Sequence, residues 1–179
     1  MGYYYYLAPQ LSYLTYGQEV PMSSLAFAAM AQQAMSSADA AMLEYCNLDP
    51  VPAPVTNSKF INSWKEWEIA LRLNLAKGRA QKLKRGGDAY SDAPEFPADA
   101  VAAAKSALAI DSPLEAELFL DKARWEAIES FQGISVFSED AMYAYLLKLL
   151  ILERRARFDA EEGFNEYKAL YAAILGEAK

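Results

Sequence analysis

The side chains able to carry chemistry in this sequence are carboxylates. Twenty-four Asp and Glu stand against 17 Lys and Arg, with one cysteine and no histidine. Without histidine there is no Ser-His-Asp or Cys-His nucleophile system, no imidazole metal site and no histidine pH switch. Cys46 excludes a disulfide within the chain. Beside Tyr45, with no basic neighbour in sequence, it reads as a packed thiol rather than a reactive one. Acid–base work by two carboxylates remains open. The most conspicuous acid is Asp121, which interrupts the stripe Leu114, Leu118, Asp121, Trp125, Ile128 at spacings of four, three, four and three. A carboxylate on an apolar face needs a partner, because an isolated buried charge is very costly. Arg72, Arg154, Arg155 and Arg157 are the candidate partners, and an ion pair joining helices is favoured over a catalytic role.

Two further carboxylates recur in a pattern. Glu68, Arg72, Leu73, Asn74 and Gly78 match Glu153, Arg157, Phe158, Asp159 and Gly163 at a constant offset of 85 residues. Glu followed by Arg at i,i+4 is the favourable helical orientation. Glu68–Arg72 and Glu153–Arg157 are therefore expected ion pairs, and the echo suggests two related halves. Asn74 and Asp159 fall on apolar stripes, where a polar group needs a partner.

Motifs for other chemistry are missing. The sequence has no Gly-x-x-x-x-Gly-Lys phosphate loop, no Gly-x-Gly-x-x-Gly and no Gly-x-Ser-x-Gly elbow. Asp159, Glu161 and Glu162 lack the spacing and central glycine of a calcium loop. No cofactor or metal is expected. The net charge of -7 disfavours nucleic acid as a partner. Its distribution is uneven: residues 1–58 carry no Lys or Arg and four acids, whereas residues 59–85 carry eight of the 17 basic residues and only Glu66 and Glu68 as acids. Arg79, Lys82, Lys84 and Arg85 crowd one end of that segment, which reads first as a basic helix packed beside acidic neighbours and otherwise as a candidate surface for an acidic partner or anionic headgroups.

The elements that position these residues read as helices. Ser23 or Ser24 caps a helix to about Met35, and Ser36 starts a short one to about Cys46. Pro50, Pro52 and Pro54 alternate in an extended linker. The clearest helix runs from about Ser58 to Arg85, with Phe60, Trp64, Trp67, Leu71, Asn74 and Gly78 on one stripe. Gly86, Gly87, Pro94 and Pro97 mark a loop or hinge. Four more helices are expected, over about Ala98 to Ile110, Pro113 to Phe131 with Ser112 as cap, Ser138 to Glu162, and Phe164 to Leu175. Tyr3 to Leu7 fits a strand or a helix. The fold class is thus all-α: a helical bundle of two pseudo-repeated lobes, residues 1–92 and 98–179, with one compact unit as the alternative. The longest apolar run, Ala141 to Leu152, is broken by Lys148 and is too short to span a bilayer, so it is a buried core helix. With no signal-peptide pattern, a cytoplasmic protein is expected.

The second half resembles the C-type stalk-socket component of V-type and archaeal-type ATPases. The resembling stretch is Leu114-Glu115-Ala116-Glu117, Leu120-Asp121-Lys122, Ala144-Tyr145-Leu146, and Leu150 to Phe158 with Glu153 and Arg157. Tyr3 to Leu7, Leu11-Ser12, Pro21 and Ser23 to Phe27 resemble an uncharacterised bacterial family found with V-type ATPase genes and thought to stand in for that socket. The socket component seats the central stalk on the membrane rotor ring. The resemblance therefore implies a non-catalytic adaptor, partnered with the central stalk and rotor subunits and peripheral to the membrane through that complex. The socket component has three helical lobes, and this chain has room for about two. The rival readings are a helical assembly factor that leaves the finished complex, and a carboxylate-based enzyme.

Overall fold

A computed structural model describes residues 3–49, 55–83 and 93–157. Among them are six α-helices and no strand: α1 (Ser24–Ala34), α2 (Ser37–Met42), α3 (Lys59–Lys82), α4 (Ala98–Leu108), α5 (Pro113–Gln132) and α6 (Glu139–Ala156). Short 3-10 turns cover Ala8–Gln10 and Leu43–Tyr45. The all-α expectation holds for these residues.

Most of the helix starts are set by serine. The hydroxyls of Ser23, Ser36, Ser58, Ser112 and Ser138 accept the backbone N–H three residues on, at 3.1–3.3 Å. Each bond satisfies one of the donors that a helix leaves unpaired at its N-terminus. α4 differs: it begins after Pro97 with no side-chain cap. Pro113 occupies the first turn of α5, where its missing N–H costs nothing.

Helix ends depart further from expectation than helix starts. α2 stops at Met42 and tightens into a 3-10 turn, so the expected helix to Cys46 is really two elements. α6 ends at Ala156, not near Glu162. The Tyr3–Leu7 segment forms neither strand nor α-helix. Tyr3 makes one isolated bridge to Ser138, and the Tyr4 N–H donates to the Phe137 carbonyl at 2.7 Å. The expected helix over 164–175, Asp159, and most of the two linkers lie outside the described residues.

The packing follows from side-chain size. Between Ala141 and Leu152 α6 is apolar on nearly every face, with Met142, Tyr143, Leu146, Leu147, Leu149, Ile151 and Leu152 all buried. A helix of that kind belongs in a core, and it packs against α1, α3 and α5. α4 buries Ala100, Ala103, Ala104 and Ala107, a face with so little bulk that the helix lies close against α3. Gly78 marks the tightest approach: a Cβ there would fall 2.1 Å from Leu108 Cδ1. The α3 stripe is buried as expected at Phe60, Trp64, Trp67 and Leu71. Residues from both expected lobes enter one core cluster, with α3 contacting α4, α5 and α6.

The indole nitrogens of the α3 tryptophans are paired. Trp67 Nε1 donates to Asp99 at 2.8 Å and Trp64 Nε1 to the Asn47 carbonyl at 3.1 Å. Asn74, the polar member of the α3 stripe, donates to the Ala70 and Pro94 carbonyls at 2.9 and 2.8 Å, and so holds the segment before α4. Ser58→Ala should lower stability by about 1 kcal/mol through loss of the α3 cap. Urea unfolding should show a lower midpoint at unchanged slope.

Candidate functional site

The charged residues singled out by the sequence meet on the inner faces of α3, α5 and α6. Glu68 on α3 and Asp121 on α5 are both buried, and Arg124 on α5 lies between them. Arg124 commits all three guanidinium nitrogens. Nε and Nη2 donate to the two Glu68 oxygens at 2.9 and 3.1 Å, and Nη1 donates to Asp121 Oδ1 at 2.9 Å. The side-on fork to a carboxylate is the geometry that a planar guanidinium provides and an ammonium does not.

From this centre the ion pairs extend both ways. Arg72 donates to Glu68 at 2.7 Å and to Asp49 at 3.2 Å. In the other direction Arg154 Nε lies 3.8 Å from Asp121 Oδ2, Arg154 Nη2 is 2.7 Å from Glu117, and Arg79 is 3.8 Å from Glu117. The result is an alternating chain, Asp49–Arg72–Glu68–Arg124–Asp121–Arg154–Glu117–Arg79, with equal numbers of each sign. It begins at an exposed loop, passes through the core, and ends at the exposed side of α3.

Glu68–Arg72 forms as the spacing suggested. Of the partners considered for Asp121, Arg154 is present, and Arg72 is joined to it only through Glu68 and Arg124. The principal partner, Arg124, was missed, although Asp121 and Arg124 at i,i+3 share a helix face. Glu153 does not pair with Arg157. Its carboxylate accepts from the Ser24 N–H and hydroxyl at 2.6 and 2.8 Å, fixing α6 to the first turn of α1, where the helix dipole favours an anion. The two glutamates of the 85-residue echo therefore have different partners. At the basic end of α3, Arg79 faces Glu117 and Lys82 donates to the Leu108 carbonyl at the C-terminal end of α4. Lys84 and Arg85 lie outside the described residues.

Burial shapes the electrostatics. It pushes the Asp121 carboxyl above its ordinary value, against the opposing pull of Arg154 and Arg124. Oδ2 has no hydrogen-bond partner among the described residues. Burial also lowers Arg124, but the neighbouring Glu68 and Asp121 outweigh it, so the guanidinium is held charged. Cys46 is buried, and that burial raises its thiol far from the reactive range. Lys65 is drawn down by burial and lies over the Tyr45 ring at 4.6 Å.

No group of three or more His, Cys, Asp or Glu among the described residues is arranged to hold a metal ion. A cavity of about 310 Å³ between Asn47, Asp49, Glu153, Arg154 and Arg157 reaches the ion-pair chain at Asp49 and Arg154 but not at Asp121. Both charge signs line it, so it has no marked preference for an ion. No helix among the described residues is long and apolar enough to cross a membrane.

Residues 91–177, just under half of the chain, match the model of a protein family of unknown function (DUF2764). No curated protein and no solved structure matches the chain. The matched stretch contains α4 to α6, and therefore Arg124, Asp121, Glu117 and Arg154.

Arg124→Met should destabilise the fold by about 3–5 kcal/mol, because it leaves Glu68 and Asp121 buried without their shared counter-ion. Denaturant unfolding measures this directly. Asp121 also predicts a pH signature. Its folded pKa is raised, so its contribution is fully present below the ordinary value of 3.8 and is lost as pH rises through the folded value. The stability of the native protein relative to Asp121→Asn should accordingly fall as pH rises through that window, and thermal unfolding of both proteins from about pH 3.5 to 8 should follow that trend.

Proposed function

We propose that this chain is a non-catalytic adaptor of a V-type ATPase, a helical body of the stalk-socket kind that helps seat the central stalk on the membrane rotor ring. In this reading it is cytoplasmic and reaches the membrane through the complex. The resemblance of Leu114 to Phe158 and of the tyrosine-rich start to that family supplies the direction. The all-helical architecture agrees with it.

The observation that carries the reading is the state of the carboxylates. Asp121 is fully buried and faces two arginines, and Glu68 is shared between Arg124 and Arg72. A general acid or nucleophile needs access to substrate and to a proton path. These groups instead join three helices into one body, as torque transfer requires. At the basic end of α3, Arg79 and Lys82 also have partners within the chain. Charge reversal at Lys82 would disturb the end of α4 as well as any contact with a partner.

The test is copurification. The protein, tagged in its native cell, is recovered from gently solubilised membranes and the accompanying proteins are identified by mass spectrometry. Near-stoichiometric V-type ATPase subunits are expected. A clean preparation lacking them would overturn the adaptor reading.

A further inference from the structure

One end of the molecule carries a surface that the ion-pair chain does not explain. Tyr6 and Tyr13 are 90% and 87% exposed, Tyr3 and Tyr5 are more than half exposed, and Ile134 is fully exposed with Val136 beside it. The two segments that carry these residues lie about 120 positions apart in sequence, and the structure brings the segments together. The Tyr3–Ser138 bridge and the Tyr4–Phe137 hydrogen bond clamp the N-terminal segment onto the loop between α5 and α6. The Tyr3 and Tyr5 rings stack at 5.8 Å, and Tyr5 meets Phe137 at 4.9 Å. On the other side Tyr13 and Val136 line one shallow cavity of about 170 Å³. The hydroxyl of Tyr145, which also lines that cavity, is buried without a hydrogen-bond partner among the described residues.

The extent and charge of this surface say what fits it. At the usual ~150–250 Å² per aromatic side chain, the four tyrosines alone expose on the order of 600 Å². That is the top of the ~300–600 Å² range for the largest apolar patch on a monomer, and Ile134 and Val136 bring it towards the ~800 Å² that a standard interface takes from each partner. Residues 3–18 and 131–137 contain no charged side chain. Beside Tyr3 and Tyr4 lie Asp39, which accepts from the Tyr4 hydroxyl, and Glu139 and Asp140 in the first turn of α6. None of these three acids is in an ion pair among the described residues, and Glu139 Oε2 is buried without a hydrogen bond there.

We propose that this tyrosine platform is a docking surface for a partner protein with an apolar, hydrogen-bonding centre and Lys or Arg along one edge. The proposal rests on the adaptor reading and names the surface through which it would act. Tyrosine is the residue that most readily supplies contact area and a hydrogen bond together, and it is enriched at interface centres. The acidic edge opposes an anionic bilayer. It equally opposes a second copy of this chain, whose own acidic edge and net charge of -7 would face it.

Tyr6→Ser, Tyr13→Ser and Ile134→Ser, combined, test the surface. None of these side chains makes a hydrogen bond among the described residues, so the thermal midpoint and helical content should match the native protein. Recovery of V-type ATPase subunits with the tagged triple variant should fall at least tenfold. A benzophenone photocrosslinker in place of Tyr6 or Tyr13 should label apolar residues flanked by Lys or Arg on one of those subunits. Undiminished recovery with the triple variant would overturn the platform and leave the adaptor reading standing. Crosslinking only to a second copy, with a dimer by light scattering that the triple variant loses, would overturn it in favour of self-association. Tyrosine-dependent flotation with phosphatidylcholine or phosphatidylglycerol vesicles would overturn it in favour of a membrane. If no ATPase subunit copurifies but crosslinks fall on a basic-edged apolar surface of another protein, the platform stands and the adaptor reading falls. If no ATPase subunit copurifies and nothing is crosslinked, both fall.

Discussion

The structure depends on one guanidinium. Arg124 has no room to change partners: Glu68 takes two of its nitrogens and Asp121 the third, and all three residues are cut off from water. Buried ion pairs of this kind contribute little net stability, because desolvation offsets most of the Coulombic attraction. Their effect is on geometry. α3 and α5 fit together in the register that brings Glu68 to the fork, and a slip of one residue along α3 would turn its carboxylate off the shared face. Apolar side chains tolerate such slips far better. The wide contact of Trp64, Trp67 and Leu71 drives the helices together, and the arginine selects where they stop.

The outer members of the chain of ion pairs extend that selection. Arg154 ties α6 to Glu117 and Asp121 on α5, and Arg72 ties the Leu48–Asp49 backbone to α3 through a hydrogen bond of 2.6 Å to the Leu48 carbonyl. Glu153 does the same for α1 through Ser24. Charge thus locates α1, α5, α6 and the Leu48–Asp49 segment on the apolar core. Exposed links such as Arg79–Glu117 at 3.8 Å are worth much less than the buried ones, since water and salt screen them.

Much of this was legible in the sequence, for local reasons. A serine cap acts within three residues, so Ser36, Ser58, Ser112 and Ser138 announced their helices. The need of Asp121 for a counter-ion was legible from its place on an apolar stripe. Arg124 was not recognised as the answer because a search for partners favours other elements, whereas a long side chain three positions on reaches the same face. The end of α6 left no mark, because neither glycine nor proline interrupts the sequence between Ala156 and Glu162. The 85-residue echo records similar helical spacing and does not determine partners: Glu68 and Glu153 occupy matching positions and bind different groups. The tyrosine-rich start was ambiguous for a further reason. Tyr3 and Tyr4 are docked by Phe137 and Ser138, and no local pattern announces a contact so distant in sequence.

That last contact has a consequence for how the molecule comes into being. During synthesis a chain emerges from its N-terminus, and local helices can form as they appear. The tyrosines are among the first residues made, yet the backbone groups that hold them belong to residues 137 and 138. Until about three quarters of the chain exists, the aromatic segment lacks the backbone contacts that clamp it in place. The surface is therefore completed late, after the helices beneath it are in place, and a nascent or truncated chain that stops short of α6 would carry the tyrosines without the arrangement that makes them a platform.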